Sequence, residues 1–62
     1  MSEDLAKARQ YRERAEVIRT MAAAQRDVAT RDQLQSIAAT YERLAQSHET
    51  IDKTNRALGK SK

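Results

Sequence analysis

The chain contains no cysteine, proline, phenylalanine or tryptophan, and Gly59 is its single glycine. Without cysteine it can form neither a disulfide framework nor a thiolate-bound zinc site, the usual staples of a small domain. A multi-stranded sheet needs turns rich in glycine and proline, and the chain offers one glycine and no proline. Aromatic side chains are confined to Tyr11 and Tyr41. No apolar run approaches the roughly 18 residues of a membrane span, and the N-terminal stretch has no signal-peptide core. These absences predict an all-α, cytoplasmic chain whose 62 residues form a single domain.

What is present is charge and alanine. Charged residues make up 34% of the chain and hydrophobic ones 39%, and once alanine is set aside only thirteen apolar or tyrosine side chains have real bulk. Their spacing is helical. Ala8, Tyr11, Ala15, Ile18 and Ala22 fall alternately three and four residues apart, the a and d positions of a heptad seam. Ser2 ahead of Glu3 and Asp4 supplies an N-cap and acids for the first turn, so a first helix is expected over about 3–25. A second seam runs through Leu34, Ile37, Tyr41, Leu44, His48 and Ile51, with Ala38 and Ala45 beside it at e. It continues to Leu58 and stops at Gly59, a residue type suited to the position after a helix.

The two seams are out of phase. Extending the first register would place Asp32 and Ser36 in the core where the second register places Leu34 and Ile37. A break near residues 25–30 resolves the conflict, although Arg26-Asp27-Val28-Ala29 holds no strong breaker and one long, locally unwound coiled coil is the competing arrangement. Thr30-Arg31-Asp32-Gln33 fits a capping box, with Ala29 and Leu34 at the staple positions. The reading is an αα-hairpin: helix 1 over about 3–25, helix 2 over about 31–58, and a frayed tail at 59–62.

Such a hairpin has little to bury. Three of the five seam positions in its first helix are alanine, which suits close approach to another helix better than filling a monomeric core. Two hairpins would double the core, and Leu5, Val17 and Met21 widen the apolar face toward a second neighbour. The expectation is therefore a homo-oligomer, a dimer first, packed as an antiparallel four-helix bundle. A different protein completing the hairpin is the alternative partner.

Arg12, Arg19 and Arg26 recur every seven residues along helix 1, with Lys7, Arg9 and Arg14 in the same half. Such a stripe could track the phosphates of RNA or DNA. The simpler reading is that the arginines lie over the core and pair across helices. The net charge is only +3, with acids closely interleaved, and both tyrosines fall on core positions instead of serving as base-stacking platforms. His48, level with Tyr11 in an antiparallel hairpin, is expected to hydrogen-bond to it, and its protonation would make the interface sensitive to pH. As the one histidine of a cysteine-free chain it is a poor metal ligand. Glu13 and Glu16 read as solvated partners of nearby arginines. Lys53, Arg56, Lys60 and Lys62 make a basic C-terminal end that complements the helix dipole. No nucleophile–base pair, glycine-rich phosphate loop or metal-ligand spacing occurs, so no enzyme activity, cofactor or metal is expected. Nor is a membrane role expected, because the apolar faces lack aromatic anchors.

Two segments carry a resemblance. Ala8-Arg9-Gln10-Tyr11-Arg12-Glu13-Arg14-Ala15-Glu16 and Ile37-Ala38-Ala39-Thr40-Tyr41-Glu42-Arg43-Leu44-Ala45 are similar to short bacterial helical-hairpin proteins that pair a Y-R-x-x-A helix with an A-x-x-Y-x-x-L-A helix. The resemblance spans roughly residues 5 to 50 and implies the hairpin fold without implying an activity. In plan, though not in sequence, the chain also resembles the Rop-type αα-hairpin dimers, which bind paired RNA loops through their first helices. Taken together, the sequence reads as a non-catalytic helical oligomerisation and protein–protein interaction module, with an RNA- or DNA-binding regulator as the alternative.

Overall fold

The computed structural model describes residues 2–59, which form two helices, α1 (Glu3–Ala23) and α2 (Val28–Ala57), packed as an antiparallel hairpin. The predicted basic tail at Lys60 and Lys62 lies outside the described residues. α1 starts where the sequence offers a cap: Ser2 is extended, and its hydroxyl accepts the Leu5 N–H at 3.2 Å. It ends two residues before the expected limit, with the Gln25 N–H reaching back to the Ala22 carbonyl at 3.1 Å.

The start of α2 departs from the expectation. Its cap is Asp27, not Thr30: the Asp27 carboxylate accepts the Thr30 N–H at 2.9 Å and the Thr30 hydroxyl at 2.8 Å. An ionised carboxylate is a stronger acceptor than a hydroxyl and complements the positive end of the helix dipole. With Asp27 as cap, Val28, Ala29 and Thr30 become the first turn, and the Ala29–Leu34 staple does not arise. The turn between helices is short, Ala24 to Asp27, and the helix break is real. At the far end Gly59 takes φ 69°, the left-handed conformation expected of it, and its N–H donates to the Arg56 carbonyl at 3.0 Å.

The molecule is a rod of 49 × 15 × 9 Å, its length set by the 30 residues of α2 at about 1.5 Å each. Its core is a line of methyl groups. Ala8, Ala15 and Ala22 of α1 are 2% exposed or less, and Ala38 and Ala45 of α2 are completely covered. Among the described residues no larger side chain is fully buried. Tyr11, Ile18, Leu34, Tyr41 and His48 are half-buried along the same contact.

The face that α2 turns to α1 lies to one side of the expected seam. It runs through Leu34, Ala38, Tyr41, Ala45, His48 and Asp52, and Ile37, Leu44 and Ile51 stand outside it, 39–46% exposed. Both lines share Leu34, Tyr41 and His48, so the choice lies between Ala38 and Ala45 on one side and their bulky neighbours on the other. α1 presents alanine at every a position, and matching alanines let the two backbones approach; interaxial distance follows the side chains at the contact. Each buried alanine methyl contributes about 0.8 kcal/mol, against about 1.5–3 for a leucine or isoleucine. The hairpin therefore fully covers only its smallest apolar groups, half-covers Tyr11, Ile18, Leu34 and Tyr41, and leaves Val17, Met21, Ile37, Leu44 and Ile51 exposed.

Candidate functional site

The two flanks of the alanine seam differ in chemistry. On one, Arg12 donates from Nε and Nη2 to the two carboxylate oxygens of Glu49, at 3.1 and 2.6 Å. Arg19 makes the same forked contact with Glu42, again at 3.1 and 2.6 Å. Both pairs repeat every seven residues on both helices, which is why the antiparallel register brings them together twice. Hydrogen bonding to Glu49 and then its charge hold the Arg12 guanidinium above its ordinary value, and Glu42 does the same for Arg19. The arginines in turn hold Glu49 and Glu42 below the usual carboxylate range, first through these hydrogen bonds. Arg26, the third member of the predicted stripe, lies in the turn and is exposed. Two of the three candidate phosphate contacts are therefore occupied by carboxylates of the same chain.

Among the described residues the opposite flank carries no such clasp. Residues two positions beyond a clasped side chain lie about 200° further round the helix. On α2 these are Leu44 and Ile51, two beyond Glu42 and Glu49, with Ile37 one heptad before Leu44. On α1 Val17 and Met21 bracket Arg19 in the same way, and with Arg14, Ile18 and Tyr41 they line a shallow open groove. Val17 is 59% exposed and Met21 49%. Leu5, grouped with them by sequence, belongs to the other flank, beside Ala8, Arg12 and Glu49.

Between the flanks, near the open end of the hairpin, polar residues close the seam. The Tyr11 ring stacks between Tyr41, at a centroid distance of 5.8 Å, and His48, at 5.7 Å. His48 is level with Tyr11 as expected, but its hydrogen bond goes elsewhere: Nδ1 lies 2.8 Å from Oδ1 of Asp4. The near-parallel rings, 19° apart, put the imidazole edge toward α1's first turn and not toward the phenol. Asp52, the next heptad position after Ala45, is 6% exposed. Hydrogen bonding from the Ser2 hydroxyl, and then from Arg56, holds its carboxyl below the usual range. Arg56 donates to it from Nε at 3.0 Å and Nη2 at 2.6 Å.

Of the residues singled out by sequence, the structure gathers Ala8, Tyr11, Ala15, Ile18, Leu34, Tyr41 and His48 at the helix–helix contact and places Ile37, Leu44 and Ile51 on an open flank. It adds Glu42, Glu49, Asp4 and Asp52, which sequence reasoning does not mark as site residues. The seven-residue spacing of Glu42 and Glu49, matching that of Arg12 and Arg19, is the signal that could have found the first two. Among the described residues no cluster of His, Asp or Glu is arranged to hold a metal ion, and no helix is long and apolar enough to cross a membrane. Comparison with protein-family models, curated proteins and solved structures finds no match to this chain.

Proposed function

We propose that this chain is a non-catalytic helical oligomerisation and protein–protein interaction module, working in the cytoplasm as a homodimer of hairpins packed into a four-helix bundle. One observation carries the reading: the covered apolar core is five alanines, while Val17, Met21, Ile37, Leu44 and Ile51 lie exposed along one flank. Burial of those larger groups is the chief stabilisation left to such a hairpin, and it needs a second surface. The RNA- or DNA-binding alternative is the poorer fit, because Glu49 and Glu42 set negative charge beside Arg12 and Arg19, where a phosphate would have to lie.

Sedimentation equilibrium over a wide concentration range, with helicity followed in parallel, tests the proposal. The expected result is a helical dimer that loses helicity as it dissociates. A chain that stays fully helical and monomeric at every concentration contradicts it. Titration with a mixed RNA pool at two ionic strengths tests the alternative, which requires binding that weakens steeply with salt.

A further inference from the structure

We propose that Lys7, Gln10, Tyr11 and Arg14 of α1, with Tyr41 of α2, form a binding site for a phosphate dianion, free or carried as a monoester. These five residues line an open pocket of about 360 Å³. It lies on the half of the unclasped flank nearer the start of α1, and one chain builds it alone.

Three observations carry it. The first is spacing. Gln10 stands three residues after Lys7 and Arg14 four residues after Gln10, so the three share one helix face and reach one pocket. The second is uncommitted charge. Arg12, Arg19 and Arg56 are held by Glu49, Glu42 and Asp52, whereas among the described residues Lys7 and Arg14 make no ion pair. The nearby carboxylates are Glu3, one turn before Lys7, Asp4, which faces His48, and Glu13, which borders the adjoining groove. None of the three lines the pocket. The third is the donor set. Tyr11 and Tyr41 stack at 5.8 Å, and His48 turns its Nδ1 to Asp4, which leaves the Tyr11 hydroxyl free of that partner. An ammonium, a guanidinium, an amide and two phenol hydroxyls thus surround one opening. A carboxylate has one charge and two oxygens, and the Arg14 fork alone would satisfy it. Two cations with three neutral donors match a phosphate monoester, which carries close to two negative charges at neutral pH and three acceptor oxygens. The diester of a nucleic-acid backbone carries one charge and matches less well.

Nuclear magnetic resonance titration of the isotope-labelled chain with glycerol phosphate, inorganic phosphate and acetate, in about 0.1 M salt, tests the site. The expected result is saturable binding of both phosphates, with amide shifts confined to the surroundings of Lys7, Arg14 and Tyr41, and acetate at least about tenfold weaker. Equal affinity for the two phosphates assigns the site to the free ion, and tighter binding of glycerol phosphate assigns it to an ester. Lys7→Gln with Arg14→Gln changes two exposed positions and should leave helicity intact while affinity falls at least about tenfold. Arg26→Gln with Lys53→Gln removes the same charge from exposed positions elsewhere and should leave affinity unchanged. If that control pair weakens binding as much, or acetate binds as tightly as phosphate, the chain senses only net charge and the pocket is wrong. A short RNA that binds through Lys7 and Arg14 where glycerol phosphate does not overturns the dianion reading in favour of a nucleic-acid contact. Self-association is read separately by sedimentation, so failure of the site leaves the oligomer proposal standing.

Discussion

The two flanks of the hairpin solve opposite problems. Along one, Arg12–Glu49 and Arg19–Glu42 join α1 to α2 through forked ion pairs whose members remain 40–49% exposed. Along the other, Ile37, Leu44 and Ile51 stand open to solvent. Exposed ion pairs add little stability, but charges in matching positions favour one register over its neighbours. Apolar groups do the reverse, with large gains on burial and little preference for register. The two flanks divide the labour: the charged flank favours one alignment of the two helices, and the apolar flank holds the large groups that would gain from burial.

The largest effect is expected from substitutions at two adjacent residues of α2. Ala45→Leu forces a large side chain into the fully covered seam, and overpacking of that kind costs about 1–3 kcal/mol. Thermal unfolding followed by circular dichroism should show the midpoint falling by about 10 °C. Leu44→Ala, one residue away, should leave the seam intact and weaken only the part of the melting curve that depends on concentration. If Ala45→Leu stabilises the protein and Leu44→Ala unfolds it, α2 is rotated about its axis so that Leu44, not Ala45, faces α1.

Acid comes next. Glu42 and Glu49 sit below their ordinary value of 4.5, and Asp27 and Asp52 below 3.8, each held there by hydrogen bonds made only in the fold. A carboxyl whose folded value is lowered contributes stability that is fully present above its unfolded value and is lost as pH falls through the folded one. The thermal midpoint should therefore be flat from pH 7 to about 5.5 and fall between about pH 5 and 3. A midpoint that rises through that window would contradict the four contacts together.

Smaller effects sharpen the picture. Asp27→Ala removes the cap of α2 and should lower the midpoint by about 5 °C. Had Thr30 been the cap, that change would have no effect. Smallest of all, Arg12→Gln with Arg19→Gln should shift the midpoint by a few degrees at low salt and by about nothing near 1 M salt. A large, salt-independent loss would show that the clasped flank is structural and not merely a guide to register.

The hairpin, the break between the helices and the two caps at Ser2 and Gly59 were legible because each rests on local chemistry: heptad spacing, a hydroxyl before two acids, a lone glycine. The seam of α1 was legible too, since alanine, tyrosine and isoleucine leave only one apolar line to choose. α2 offered two, and bulk favoured Ile37, Leu44 and Ile51. The alanine line was hidden by Asp52, whose charge interrupts it at the position where Ser2 and Arg56 satisfy the carboxylate. Seeing that Asp52 belonged required knowing that the start of α1 lies beside it, which is tertiary information. The partner of His48 escaped for the same reason. Its neighbour in height was right, but Asp4 is brought to it by the stagger of the helices, and stagger is not written in either helix alone.

Everything turns on which way α2 faces, and isotope-filtered nuclear Overhauser spectra of an equal mixture of labelled and unlabelled chains read that directly. The Ala38 and Ala45 methyls should show contacts to α1 of their own chain, and the Leu44 methyls should show contacts to a different molecule. Leu44 methyls in contact with Ala15 and Ile18 of the same chain, with no intermolecular signal, would contradict both the alanine seam and the open flank built upon it.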